Sequence, residues 1–202
     1  MRNVVCFLIL AGPLQADPVQ DVVDAARSAF NGMPVVQRVD EIAEHCGADE
    51  TVHVQVAYCT SRNRIFLTRD AALLPQAPYL VAHAFGHAVQ VRHGVADFAL
   101  GQIRARRSEE VMLRGLVERQ VDCIAGFLVA RAELPAASLQ DWFSEEPFAG
   151  IHWGRNPLHI GPQVSIGLGP RGEWFAIGQN GDIAACAPGE FSSDLLVAAL
   201  ND

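Results

Sequence analysis

The sequence predicts a single α+β domain, and three observations support this fold class. Apolar residues recur at helical spacing in several long segments. Alternating apolar and polar residues in 51–59, followed by a turn and the apolar run 64–68, predict a β-hairpin. The chain has 202 residues, half of them hydrophobic, which is enough for one sizeable core and short for two. We therefore expect one folded unit in which a hairpin lies beside helices.

The start of the chain has the pattern of a secretory signal peptide. Arg2 supplies a positive charge, residues 4–11 are apolar, and small residues follow up to Ala16. The apolar run is too short to span a bilayer, and the alternative interpretation is a buried N-terminal strand. We expect a signal peptide over 1–16 and a mature domain over 17–202, periplasmic or secreted, with no membrane segment.

Helices and loops along the rest of the chain are predicted from apolar spacing and from start and stop signals. Helices are expected over 17–30, 78–94, 108–134 and, shorter, 138–145; residues 94–107 are expected to form a loop, and 35–44 are consistent with either a strand or a helix. Ser108 is the predicted N-cap of the long helix, because Glu109 and Glu110 follow it where the helix dipole favours acids.

Four cysteines follow the predicted signal peptide, namely Cys46, Cys59, Cys123 and Cys186. An even number in an exported chain favours disulfides over a cysteine metal site, and three pairings are possible. We favour Cys46–Cys59, which would bracket one short segment, together with Cys123–Cys186, which would tie the tail of the chain to a core helix.

The charge of the chain argues against nucleic acid as a partner. The formal net charge is −8, and every basic residue is an arginine. No basic patch interleaved with aromatic residues is found. We interpret the acidity as a feature that favours solubility.

The most informative segment is the predicted helix 78–94, which contains His83 and His87. Residues four apart lie on the same face of a helix, so these two imidazoles could bind one metal ion such as zinc. The spacing is that of the HExxH zinc-peptidase helix, but the second position of the motif is Ala84 instead of glutamate.

A wider set of motifs resembles the bacterial neutral zinc metallopeptidase family. The resemblance covers roughly Cys46 to Phe191, and its motifs are Tyr58-Cys59, His83-Ala-Phe-Gly-His87-Ala-Val-Gln90, Glu118-Arg-Gln-Val-Asp122-Cys123-Ile-Ala-Gly126, His159-Ile-Gly161 and Gly178-Gln-Asn-Gly181-Asp182-Ile-Ala-Ala-Cys186. The string that begins at Glu118 is the most specific of them. The resemblance implies a zincin-like fold and a thermolysin-like zinc site with His83, His87 and Glu118 as ligands.

The chemistry of these residues is consistent with a catalytic zinc site. Two neutral imidazoles and one carboxylate leave a fourth position for water. Asp122, one helical turn beyond Glu118, could accept the second ring proton of a ligand histidine and fix its tautomer. The resemblance also makes His159 a candidate to polarise a scissile carbonyl or stabilise an oxyanion, with Tyr58 and Tyr79 as alternatives. A loop histidine and two core tyrosines would be the simpler interpretation.

His93 is a rival third ligand, because it follows His83 by ten residues, the spacing of the third histidine in metzincins. That class of site needs a glycine at the seventh position of the motif to bend the chain back, and this chain has Gln90 there. We therefore favour Glu118 and interpret His93 as a histidine near a helix C-terminus.

Ala84 determines what such a site could do. In HExxH enzymes the glutamate moves a proton from the attacking water to the leaving amine, which a methyl group cannot do. Loss of a general acid–base residue typically costs about 10²- to 10⁴-fold in rate.

The leading expectation is therefore a zinc-binding relative of metallopeptidases whose peptide hydrolysis is lost or strongly weakened. Its expected partner is a peptide or protein segment in a groove beside the hairpin strand, held by strand addition. One alternative is an active neutral zinc metallopeptidase that uses another base, or an inactivated form of one. The other is a metal-free protein-interaction domain on the same scaffold.

Overall fold

A computed structural model of the chain describes residues 17–43, 45–47, 54–148 and 164–201. Its elements, in chain order, are α1 (Pro18–Ala29), β1 (Val35–Val39), β2 (Val56–Cys59), β3 (Arg64–Thr68), α2 (Ala77–Arg92), α3 (Val95–Ala105), α4 (Glu110–Arg131), α5 (Leu139–Trp142), α6 (Leu168–Gln179) and α7 (Asp194–Ala199). Short 3₁₀ turns lie at Ala71–Leu73, Arg107–Glu109 and Ile183–Ala185. The fold consists of helices and one small sheet, so the predicted α+β class is confirmed.

The three strands form one sheet in the order β1-β3-β2. β2 and β3 pair antiparallel, with Val56 opposite Leu67 and Cys59 opposite Arg64, which confirms the predicted hairpin. The first residues of the predicted strand, 51–53, lie outside the described part of the chain. β1 pairs parallel with β3, so the segment that the sequence left open between strand and helix contributes a strand.

α1 begins as the sequence predicts. The carboxylate of Asp17 accepts hydrogen bonds from the backbone N–H groups of Val19 and Gln20, and Pro18 occupies the first turn. The apolar side chains at Val22, Ala26 and their neighbours along the same stripe are buried. α1 is therefore an amphipathic helix that covers one side of the core.

The predicted loop over 94–107 is wrong, because most of this segment forms α3. Gly94 takes a left-handed conformation with φ of 82°, which ends α2 and lets a new helix start at once. Val95, Ala99 and Ile103 then recur at four-residue spacing and are buried. The apolar spacing was present in the sequence but was outweighed by the polar residues between these positions.

The predicted N-cap at Ser108 is also wrong. Ser108 lies inside the 3₁₀ turn Arg107–Glu109, and α4 begins at Glu110 without a side-chain cap. The short helix α5 covers only Leu139–Trp142 of the predicted 138–145, and it is capped by the hydroxyl of Ser138.

α2 and α4 are the central helices of the fold. Both are buried on most of their circumference, as expected for helices that have neighbours on every side. The main core cluster joins them to α1, α6 and the sheet, and its largest members include Phe30, Ile65, Tyr79, Phe85, Phe127 and Phe175. A polar side chain on the buried faces of these two helices therefore lies within apolar surroundings and needs a partner.

Three glycines allow α2 and α6 to approach α4 closely. A Cβ atom on Gly86 of α2 would lie 2.8 Å from the carbonyl oxygen of Val121 on α4. A Cβ on Gly126 of α4 would lie 2.0 Å from the carbonyl oxygen of Phe175, and one on Gly178 of α6 would lie 1.9 Å from a backbone oxygen of α4. These distances leave no room for a side chain, so the backbones of α2, α4 and α6 are in direct contact.

Two disulfides are present, Cys46 with Cys59, which are 13 residues apart, and Cys123 with Cys186, which are 63 residues apart. This is the pairing that the sequence favoured. The second bond fixes the segment after Ile183–Ala185 to the middle of α4. No helix of the described residues is both long and apolar enough to cross a membrane. The predicted signal peptide, residues 1–16, lies outside the described residues.

We expect Gly126→Ala to lower the free energy of unfolding by at least about 2 kcal/mol, because the added methyl group would collide with the backbone of α6. Gly101→Ala is the matched control, since a Cβ at this position of α3 meets no atom within 4 Å. It should leave stability unchanged or raise it by up to about 1 kcal/mol. Urea unfolding followed by circular dichroism measures both, and equal effects would contradict the close contact of α4 with α6.

Candidate metal centre

The three predicted metal ligands lie together between α2 and α4. His83 and His87 occupy successive turns of α2, and Glu118 faces them from α4. One ligand atom from each residue lies within 4.8 Å of the other two. His83 Nε2 is 4.0 Å from Glu118 Oε2, and His87 Nε2 is 3.9 Å from Glu118 Oε1. In the described part of the chain this is the one group of His, Cys, Asp or Glu residues that could hold a metal ion.

The separations fit a metal site that closes slightly around its ion. Two ligands about 2.1 Å from a zinc ion, at the tetrahedral angle, lie about 3.4 Å apart. The two imidazole–carboxylate distances, which end on different oxygens of Glu118, exceed this value by roughly half an ångström. With one atom from each residue the spread is up to 4.8 Å, so side-chain rotations would have to bring the ligands closer around an ion. Two imidazoles and a carboxylate are suitable donors for zinc and for several other divalent metals.

Asp122 orients one of the two histidines. Its Oδ1 atom is 2.9 Å from His83 Nδ1, and it also accepts a hydrogen bond of 2.9 Å from the hydroxyl of Tyr79. With Nδ1 held by a carboxylate, the Nε2 atom of His83 is the one directed toward Glu118. This carboxylate–histidine pair is the arrangement that typically supports a metal-binding imidazole.

A fully buried arginine, Arg171 of α6, is the part of the site that sequence reasoning missed. Its Nη1 atom donates to Asp122 Oδ2 at 2.8 Å and to Glu118 Oε2 at 3.2 Å. Its Nε atom donates to Glu146 Oε1 at 2.8 Å. Little in the sequence indicates this role, because Arg171 lies in a stretch rich in Gly and Pro for which no helix is predicted.

The environment shifts the pKa values of these groups in a consistent way. Burial raises the pKa of Glu118, against the opposing effect of His83 and Arg171. Burial, followed by the proximity of His83 and Arg171, lowers the pKa of His87 well below its usual value. Burial also opposes the charge of Arg171, but the carboxylates of Asp122 and Glu118 outweigh it and raise the pKa of the guanidinium. His87 is therefore neutral near pH 7, as a metal ligand must be.

With every group ionised, the carboxylates of the site would outnumber its guanidinium. Glu118, Asp122 and Glu146 would contribute three negative charges and Arg171 one positive charge, which gives a net charge of about −2. Burial opposes this state by raising the pKa of Glu118. A divalent metal at the two histidines would compensate the negative charge, which agrees with the donor set.

A short segment of the chain covers the site. The ring of Phe148 stacks on the imidazole of His83, with centroids 4.0 Å apart and planes inclined by 12°. We call residues 144–148 the covering segment. Together with residues 54–56 and Leu80 it borders a groove of about 400 Å³. The groove therefore lies between the sheet and the loop that shields the histidines.

Ala84 is buried beside the first histidine and supplies no acid or base. Two neighbouring carboxylates, Asp122 and Glu146, both accept hydrogen bonds from Arg171. A divalent metal bound at this place would supply Lewis acidity and would lower the pKa of a coordinated water. The described side chains would then hold and orient the metal ligands, while Ala84 offers only a methyl group, which cannot move a proton.

The other predicted site residues have different positions. The hydroxyl of Tyr58 donates to Asn63 within the hairpin, at 3.1 Å. The hydroxyl of Tyr79 is committed to Asp122, so Tyr79 belongs to the network behind His83. The candidate His159 lies outside the described residues.

The rival ligand His93 is not a member of the metal-binding group. It forms the C-terminal cap of α2, where its ring lies 5.8 Å from that of Phe30. α2 continues through Gln90, whose amide donates to the Val117 carbonyl oxygen and to Gln120. Because α2 continues as a helix through position 90 to Arg92, the chain does not bend back toward the site, in agreement with the lack of the metzincin glycine.

Comparisons of the chain with protein-family models, with curated proteins and with solved structures found no match. The likeness to zinc metallopeptidases therefore depends on the sequence motifs. The geometry around His83, His87 and Glu118 is a separate observation that does not depend on them.

We expect Glu118→Gln to weaken zinc binding by more than about 100-fold, because the variant loses a charged ligand while its side chain keeps its size. His93→Ala should leave zinc affinity within about twofold, since His93 lies outside the group. Competition with a zinc-binding dye measures both affinities. The opposite order of effects would show that the third ligand has been assigned wrongly.

Proposed function

We propose that this protein is a zinc-binding relative of metallopeptidases in which peptide hydrolysis is lost or strongly weakened. The observation that carries the proposal is the convergence of His83, His87 and Glu118 between two buried helices. Two imidazoles with one carboxylate are typical of catalytic zinc sites, which keep a fourth position open. Structural zinc sites usually close all four positions with cysteine or histidine.

The support from Asp122 strengthens the proposal. A buried carboxylate that accepts from the second nitrogen of His83 is costly to maintain unless the imidazole has a task that needs one orientation. Arg171 and Tyr79 complete the hydrogen bonding of this carboxylate. The candidate site thus includes supporting side chains in addition to its three proposed ligands.

Ala84 is the reason for proposing weak or absent hydrolysis. The position next to His83 is where HExxH enzymes place the base, and here it is a buried methyl group. Metal binding does not need this residue, because it is not a ligand. The protein would therefore keep its metal and lose most of the rate enhancement that proton transfer supplies.

A peptide or protein segment is the proposed partner, held in the groove between the sheet and the covering segment. β2 is an edge strand of the three-stranded sheet, and its outer edge pairs with no described strand. An extended peptide could add to such an edge by main-chain hydrogen bonds. Two disulfides support a location outside the cytoplasm, periplasmic or secreted, where such bonds persist.

One observation favours a second candidate, a metal-free interaction domain. Arg171 already satisfies an oxygen of Glu118 and an oxygen of Asp122 by hydrogen bonds. The ligand carboxylate therefore has a cationic partner even without a metal. Metal analysis of the purified protein separates the two candidates, because near-stoichiometric zinc is expected from the first and none from the second.

We expect Ala84→Glu to create or raise chelator-sensitive proteolysis by about 10²- to 10⁴-fold over background, because it restores a general base next to His83. Ala84→Gln is the matched control, since it adds nearly the same volume without a base. Cleavage of casein with and without a chelator measures the activity.

No gain in a folded, zinc-loaded Ala84→Glu variant would mean that the rest of the site no longer supports catalysis. Chelator-sensitive cleavage by the unaltered protein would favour the alternative of an active peptidase that uses another base.

A further inference from the structure

Arg171 contacts both the metal-binding carboxylate and the segment that covers the site. We propose that Arg171 is a positioning residue which couples the occupancy of the metal site to the position of the covering segment. The proposal rests on the metal site of the proposed function, and it adds a property of a residue that takes no part in metal binding itself.

The first connection runs from Arg171 to the metal ligand. One guanidinium nitrogen, Nη1, bonds to both Glu118 and Asp122. The oxygen of Glu118 that it contacts, Oε2, is the one that lies 4.0 Å from His83 Nε2. A cation bound between these atoms would therefore share a carboxylate with the guanidinium.

The second connection runs from Arg171 to the covering segment. The Nε atom of the same guanidinium donates to Glu146 Oε1 at 2.8 Å. Glu146 is held further by the backbone N–H of Ile166 at 2.9 Å and by the hydroxyl of Ser165. Burial opposes the ionised form, but these hydrogen bonds and Arg171 outweigh it and lower the pKa of Glu146.

Two residues after Glu146, the covering segment contacts the metal site a second time. Phe148 stacks on the ring of His83, and its backbone φ of 64° is unusual for a residue other than glycine. A residue is kept in such a conformation only where surrounding contacts fix it. The covering segment is thus tied to the site at two points, through Arg171 at Glu146 and directly at Phe148.

The direction of the coupling follows from the charges. A divalent metal at the histidines would draw electron density from Glu118 and repel the guanidinium of Arg171. The hydrogen bond from Arg171 to Glu118 would weaken, and the bond to Glu146 would become stronger. Metal binding should therefore hold the covering segment more firmly, and by thermodynamic reciprocity a displaced covering segment should weaken metal binding.

Hydrogen exchange of the full-length protein, with and without zinc, tests the coupling. Zinc should slow exchange of the peptide that contains residues 144–148 by at least about fivefold, the low end of typical coupling between sites. Exchange in α1, residues 18–29, serves as the internal reference and should not change. Zinc occupancy is measured separately on the same samples by metal analysis.

Two variants test whether Arg171 carries the coupling. In Arg171→Gln and in Glu146→Gln the zinc-dependent change in residues 144–148 should fall below about twofold, at saturating zinc. Arg106→Gln is the matched control, because Arg106 also bridges two carboxylates, Glu109 and Glu190, away from the site. It should keep the full zinc-dependent change.

The outcomes separate this inference from the proposed function. Zinc bound at the site without slower exchange in residues 144–148 would overturn the coupling and leave the metal site intact. Failure of zinc to bind would overturn both. A zinc-dependent change that persists in Glu146→Gln would overturn the role of Arg171, and this variant decides the question if Arg171→Gln does not fold.

Discussion

The site depends on burying acidic and basic side chains between helices whose backbones touch. Glu118 and Asp122 project from α4 into an interior that offers little water, so each needs a partner within hydrogen-bond distance. α6 supplies that partner in Arg171, and α2 supplies the two imidazoles. The glycines at which α2, α4 and α6 meet set the distances between these groups. The packing of these helices therefore also determines the geometry of the site.

The sequence was sufficient for the local part of this arrangement and insufficient for the rest. The spacing of His83 and His87 predicts a shared helical face, because a helix repeats every 3.6 residues. Glu118 was reached only through a family resemblance, since nothing in the spacing says which distant carboxylate faces a given helix. Arg171 was missed because its partners lie 49 and 53 residues away and its segment carried no clear helical pattern. The loop predicted over 94–107 failed because polar residues obscured an apolar stripe.

The candidate metal centre combines a firmly held histidine with a neighbouring residue that cannot transfer a proton. Asp122 and Tyr79 hold His83 in one orientation, although the neighbouring Ala84 contributes only a methyl group. An orientation of this kind matters for binding a metal as well as for using one. The covering segment adds a further contact at the same histidine, because the ring of Phe148 stacks on the imidazole of His83.

The bond between Cys123 and Cys186 has a consequence for how the chain regains its structure after unfolding. The two cysteines are 63 residues apart, and the stretch between them includes both Glu146 and Arg171. A disulfide acts largely by restricting the unfolded ensemble, in the usual account of its effect. In the oxidised protein Arg171 therefore stays linked through Cys186 to Cys123, the residue that follows Asp122, even when the chain is unfolded. The disulfide thus limits how far Arg171 can move from Asp122 before the chain refolds.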